Sequence, residues 1–86
     1  MSMITAQVGA RIRKIKIEKT GISQEKFANE IGMDRTYFSG VECGKRNLSL
    51  NSLDKIIKGL GISYSDFFAK GWDEEDPINS RKEKTE

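Results

Sequence analysis

Three times between Ser23 and Gly61 this chain repeats one punctuation: a residue fit to cap a helix, a short run, then a glycine fit to stop it. The segments are Ser23–Gly32, Asp34–Gly44 and Ser49–Gly61. A Ser or Asp oxygen at the cap accepts from backbone N–H groups of the first turn that have no partner within the helix. Glycine supplies the left-handed conformation that ends a helix. The only proline is Pro77, so nothing before it forbids helix. The punctuation therefore restricts the chain to a string of short helices.

Five are expected. The first, about Thr5 to Lys19, carries Val8, Ile12 and Ile15 at helical spacing. Ile15-Lys16-Ile17 alternates like a strand, but Ile4 extends the same apolar face over a longer window, which favours helix; Gly21 then stops it. The second runs from Gln24 to Ile31, with Phe27, Ala28 and Ile31 on one face. The third runs from Arg35 to Cys43, with Phe38 and Val41 inward. The fourth follows Ser49 and has Leu50, Leu53, Ile56, Ile57 and Leu60 as its apolar stripe. Ser63, with Asp66 three residues on, resembles a capping box opening a short last helix that bears Phe67 and Phe68. The fold class is all-α. Residues 1–72 form one domain, and the polar, charged stretch 73–86, opening Asp73-Glu74-Glu75-Asp76, reads as a flexible tail.

Composition narrows the function. The chain has 86 residues, no histidine and one cysteine, Cys43. Imidazole catalysis, His/Cys metal sites and an intrachain disulfide framework are excluded, and no paired inward carboxylates or phosphate-cradling glycine motif point to an enzyme. No cofactor, metal or small-molecule ligand is expected. No apolar run is long enough to cross a bilayer and no secretory signal is visible, so a cytoplasmic location is expected. Charge is unevenly spread. Residues 1–61 carry 11 Lys/Arg against 6 Asp/Glu, whereas residues 62–86 carry 4 against 7. The basic body suits an anionic partner such as nucleic acid, or is simply a well-solvated surface.

The second and third helices decide between these. Two short helices joined by a tight glycine-containing turn make a helix-turn-helix. It needs a small residue where the helices meet (Ala28), a glycine in the turn (Gly32), and buried positions that fix the crossing angle (Phe27, Ile31, Phe38, Val41). A plain helical bundle meets some of these demands, but meeting all of them in order favours DNA binding.

Over residues 8–68, the segments VGARIRKIKIEK, GISQEKFANEIG, MDRTYFSGVECGKRNLSL and LDKIIKGLGIS resemble the Cro/C1-type (XRE) helix-turn-helix family. DRTYFSGVE followed by RNLSLNSLDKIIKGL is further similar to the controller proteins of restriction–modification systems. The resemblance implies a lambda-repressor-like domain and a small dimeric regulator. Thr20, an extra residue before Gly21, departs from the commoner pattern, and Cys43 stands at a variable position.

A recognition helix enters the major groove with its N-terminal side chains toward base edges. Arg35, Thr36, Tyr37 and Ser39 are the candidate base readers. Arg35 can donate a bidentate pair to guanine O6 and N7, and a cation at a helix N-terminus opposes the dipole, which argues for a functional reason. Tyr37 could equally pack against the first helix, and Ser39 could face solvent. The resemblance implies phosphate contacts from Ser23 and Gln24 at the start of the second helix and from Lys45, Arg46 and Asn47 in the following loop. It also implies a structural ion pair between Glu42 and Lys16.

Leu50, Ile62, Tyr64, Phe67 and Phe68, with Trp72 beside them, present more apolar surface than so small a monomer can cover, and the resemblance implies that Arg46 and Asn47 lie near the same contact. Such a patch marks an interface, and a homodimer on a near-palindromic operator is expected, with one of the two phenylalanines closing the core instead. Double-stranded DNA and a second copy are thus the expected partners, with RNA polymerase a further candidate. The competing reading is an antitoxin-like module that covers a protein partner, with DNA binding secondary.

Overall fold

The computed structural model describes residues 3–69, which form five α-helices and no strand: α1 (Met3–Lys19), α2 (Gln24–Glu30), α3 (Arg35–Glu42), α4 (Leu50–Leu60) and α5 (Tyr64–Phe67). Trp72 and the 73–86 stretch lie outside the described residues. No helix among the described residues is long and apolar enough to cross a membrane.

The caps account for the helix starts. Ser23, Asp34, Ser49 and Ser63 have extended backbone, and their side chains accept from the N–H groups of Lys26, Tyr37, Ser52 and Asp66 at 3.1, 3.0, 3.1 and 3.0 Å. Each such cap is worth about 1 kcal/mol. Helices α2 and α3 also end alike. The N–H of Met33 donates to the Ala28 carbonyl (2.9 Å) and that of Gly32 to Asn29 (3.2 Å); Lys45 donates to Gly40 (2.8 Å) and Gly44 to Val41 (3.0 Å). Gly32 and Gly44 make this possible with φ of 69° and 77°, a region costly for any residue with a Cβ. Helix α1 ends differently: the Thr20 hydroxyl donates to the Lys16 carbonyl (2.7 Å) and accepts from the Ile22 N–H (3.2 Å).

The core is built from every helix: Ile12 and Ile15, Phe27 and Ala28, Phe38 and Val41, Ile56, Ile57 and Leu60, and Phe67. The Phe27 and Phe38 rings lie 5.3 Å apart and tilted, which locks α2 against α3. Two glycines allow backbones or large side chains to come close. A Cβ on Gly9 would collide with the carbonyls of Val41 and Glu42 where α1 crosses α3, and one on Gly59 would collide with Ile31.

Several expected core positions fall elsewhere. Ile31 is only half-buried, as the cap residue just past α2. Ile4 is 65 % exposed and Leu50 83 % exposed; both stand at helix starts, where they line a surface groove instead of the core. Phe67, expected at a partner interface, is fully buried in the monomer. Phe68 beside it is 56 % exposed and meets the Phe67 ring edge-on at 4.9 Å. Successive helical residues point about 100° apart, so only one of the two can face inward.

Helix α5 is fastened by groups outside the apolar pattern. Arg11 donates from Nε to the Phe67 carbonyl (2.9 Å) and from a terminal nitrogen to that of Asp66 (3.0 Å). These bonds tie the last carbonyls of α5 to α1. The Tyr64 hydroxyl donates to the Asp54 carboxylate, which Lys58 also reaches at 3.0 Å.

Candidate nucleic-acid interface

The exposed end of the helix-turn-helix holds a shallow depression lined by Gln24, Arg35, Thr36 and Ser39. The Asp34 cap starts α3 so that Arg35 and Thr36 project from its first turn, and Ser39 follows one turn on. Arg35 and Thr36 are exposed, and Ser39 is half-buried. Three of the four candidate base readers therefore share one concavity, and Gln24 joins them from the first position of α2.

Behind the depression stands a polar junction of three helices. Gln24 Nε2 on α2 donates to Glu42 Oε1 on α3 at 2.9 Å. The other carboxylate oxygen faces Lys16 Nζ on α1 at 3.5 Å, with the two side chains 6 % and 4 % exposed. That oxygen has no hydrogen-bond partner, so the Lys16 contact is a charge pairing without hydrogen-bond geometry. The Glu42–Lys16 pair implied by the family resemblance is present, and it orders α1 against the helix-turn-helix.

Tyr37 is not part of the depression. It is half-buried, and its hydroxyl donates to the Asn47 carbonyl at 2.9 Å. The Arg46 guanidinium lies over its ring, 5.9 Å from the centroid. Gly40 leaves the space Arg46 occupies, since a Cβ there would stand 2.5 Å from Arg46 Cγ. Tyr37 thus holds the Lys45–Asn47 loop against α3. Lys45, Arg46 and Asn47 are all exposed in that loop, and so is Ser23 at the α2 cap, whose oxygen accepts the Lys26 N–H.

A second surface is apolar. Ile4, Val8, Leu50, Leu53 and Phe68 line an apolar groove whose edge is formed by Arg46 and Asn47. It continues past Leu50 and Phe68 to Tyr64 and Asp54. Of the expected interface residues, Asn47, Leu50, Tyr64 and Phe68 lie here; Ile62 is half-buried against the core and Phe67 belongs to it. Ile4 and Leu53 join the groove without having been expected there. The hydrogen bond from Tyr64, and then Lys58, hold the Asp54 carboxyl below its ordinary range, while Asp54 in turn raises the Lys58 ammonium.

The chain as a whole is similar to known proteins. A family model described as helix-turn-helix matches residues 12–67. The chain belongs to this family, in its Cro/C1-type branch. It is 49 % identical over 69 residues to Control protein C.MunI of a Mycoplasma species, covering 80 % of this chain and 93 % of that one. It is 45 % identical over 58 residues to Control protein C.BamHI of Bacillus amyloliquefaciens, covering 67 % and 72 %. The crystal structure of the restriction–modification controller protein C.Esp1396I superposes with a TM-score of 0.74 at 44 % identity, over 79 % of this chain and 88 % of that chain. C.Esp1396I has also been solved as a tetramer on its natural 35-base-pair operator.

Proposed function

We propose that this chain is a restriction–modification controller: a transcriptional regulator that binds double-stranded operator DNA through α3 and acts without catalysis. The observation that carries the reading is the depression where Arg35, Thr36 and Ser39 of α3 meet Gln24 of α2, in a chain this similar to a controller solved on its operator. Arg35 is the guanine reader, its guanidinium matched to O6 and N7. Thr36 and Ser39 offer hydroxyls to neighbouring base edges or phosphates. Ser23, Lys45, Arg46 and Asn47 fix the register on the backbone, which gives affinity without sequence information. Tyr37 serves readout chiefly by holding that loop.

The working unit is a homodimer. Two copies joined through the apolar groove bury Ile4, Leu50 and Phe68 and present two α3 helices to successive turns of DNA. The operator is then near-palindromic. A dimer seated beside a promoter has RNA polymerase as its further partner, and the site of action is the cytoplasm.

Selection from a random duplex library at physiological salt tests this. A two-fold symmetric motif with half-sites about one helical turn apart is the expected result. Enrichment without sequence preference contradicts it and points to the antitoxin-like alternative.

A further inference from the structure

We infer that Arg46 opposes dimerisation of the free protein and favours it on DNA, so that operator phosphates help to join the two copies. This rests on the proposed dimer through the apolar groove and adds to it a way in which DNA controls assembly.

Among the described residues that line the groove, Arg46 alone is charged; Ile4, Val8, Leu50, Leu53 and Phe68 make up most of the rest. No acidic residue occurs from Cys43 to Leu53, so the loop offers Arg46 no anion. The nearby carboxylates are engaged elsewhere. Glu42 faces Lys16, Asp54 is paired with Lys58, and Asp34 accepts the Tyr37 N–H. The one contact described for the Arg46 guanidinium is the Tyr37 ring, 5.9 Å away at its centroid. Lys45, exposed beside it, adds a second positive charge to the loop.

The Tyr37 hydroxyl, by donating to the Asn47 carbonyl at 2.9 Å, sets this edge of the groove against α3. The other end of the groove lies at Tyr64 and Asp54. A two-fold contact joins the same patch of each copy. Both α3 helices must face one duplex, so the α3 edges of the two grooves come together on the DNA side of the contact. Arg46 of each copy then approaches its own counterpart, with no carboxylate between them. Like charges set against each other at a contact are unfavourable. In the bare dimer this offsets part of the gain from covering Leu50 and Phe68.

A duplex reverses the sign. Its phosphates place anions beside the same edge, and Arg46 and Lys45 can donate charge-assisted hydrogen bonds to them. Linkage makes the effect reciprocal: the factor by which operator tightens the dimer is the factor by which dimerisation tightens operator binding.

The test is sedimentation equilibrium without DNA, on the wild type, Arg46→Gln and Arg46→Lys. Arg46 is exposed, so the fold is expected to survive both changes. At about 0.1 M salt, where charges interact over about 10 Å, Arg46→Gln should dimerise roughly 2- to 5-fold more tightly than the wild type. At about 1 M salt, where that range falls to about 3 Å, the two should agree. Arg46→Lys, which keeps the charge, should dimerise like the wild type, and Arg46→Gln should bind operator more weakly despite its tighter dimer. A residue that merely held the loop in place would give a looser dimer when replaced. An unchanged or looser Arg46→Gln dimer at low salt, or equal tightening by lysine, would overturn the inference. A wild-type chain that stays monomeric at every concentration would instead overturn the groove dimer itself.

Discussion

Lys16 and Glu42 face each other at 3.5 Å across the contact of α1 with α3, with both side chains almost wholly shielded from water. A pair like this gains little over an apolar contact, but losing one member leaves a buried charge. Glu42→Ala is therefore expected to cost about 3–5 kcal/mol in denaturant unfolding. For a domain this small that is a large part of the total stability. A loss under about 1 kcal/mol, the worth of an exposed pair, would show that water reaches the junction.

Leu50 is the most exposed large apolar side chain among the described residues, at 83 %. If a second copy covers it, Leu50→Glu should leave the fold of the monomer intact and halve the mass measured by light scattering. Operator affinity should fall with it, because each protomer then binds one half-site alone. An unchanged dimer would place the contact elsewhere on the molecule.

Gly9 and Gly40 should respond unequally to alanine. At Gly9 the added carbon meets backbone carbonyls of α3, which cannot move without shifting the helix. A loss of about 1–3 kcal/mol is expected, as for other overpacked cores. At Gly40 the obstacle is Arg46 Cγ at 2.5 Å, so the Arg46 side chain must rotate about its first bond to clear it while the backbone stays in place. Gly40→Ala should therefore cost less than Gly9→Ala, because alanine's preference for helix offsets part of that rearrangement. It should also weaken DNA binding by moving Arg46 off the Tyr37 ring. Equal stability losses in the two variants would contradict the contacts described.

The Asp54–Tyr64–Lys58 cluster gives a pH signature. Asp54 titrates below its ordinary value of 3.8, through the Tyr64 hydrogen bond first and then Lys58. Its contribution is present above the unfolded-state value and is lost as pH falls through the lower folded-state value. Lys58 is raised above 10.5, first by the hydrogen bond with Asp54, so its contribution is present below 10.5 and lost as pH rises through the folded-state value. Asp54→Asn should flatten the acid limb of a stability profile below about pH 4. High salt should shrink the difference, since the cluster is exposed. An acid limb identical in the variant would remove Asp54 from the fastening of α5.

Much of this was legible in the residues alone. Ser23, Asp34, Ser49 and Ser63 act at one step in sequence on the next turn, and Gly32 and Gly44 are read from the backbone geometry that a helix stop demands. The Arg35–Ser39 surface followed from where a third helix had to start. What escaped depends on how helices cross. Gly9 marks a crossing that no local pattern announces, although a glycine inside a helix is itself a sign of close approach. Arg11 reaches carbonyls 55 and 56 residues away. Phe67 and Phe68 are alike in composition, and α5, only four residues long, is too short for its period to say which one turns inward. Ile4 and Leu50 continue apolar stripes past the point where the core ends, which is why they line a groove.

The central claim is that α3 reads bases through Arg35. The most direct measurement is duplex selection with Arg35→Ala beside the wild-type chain under identical salt. The account predicts that the wild type enriches a two-fold symmetric site and that the variant loses one guanine position in each half-site while keeping the spacing. An identical motif from both proteins would contradict it.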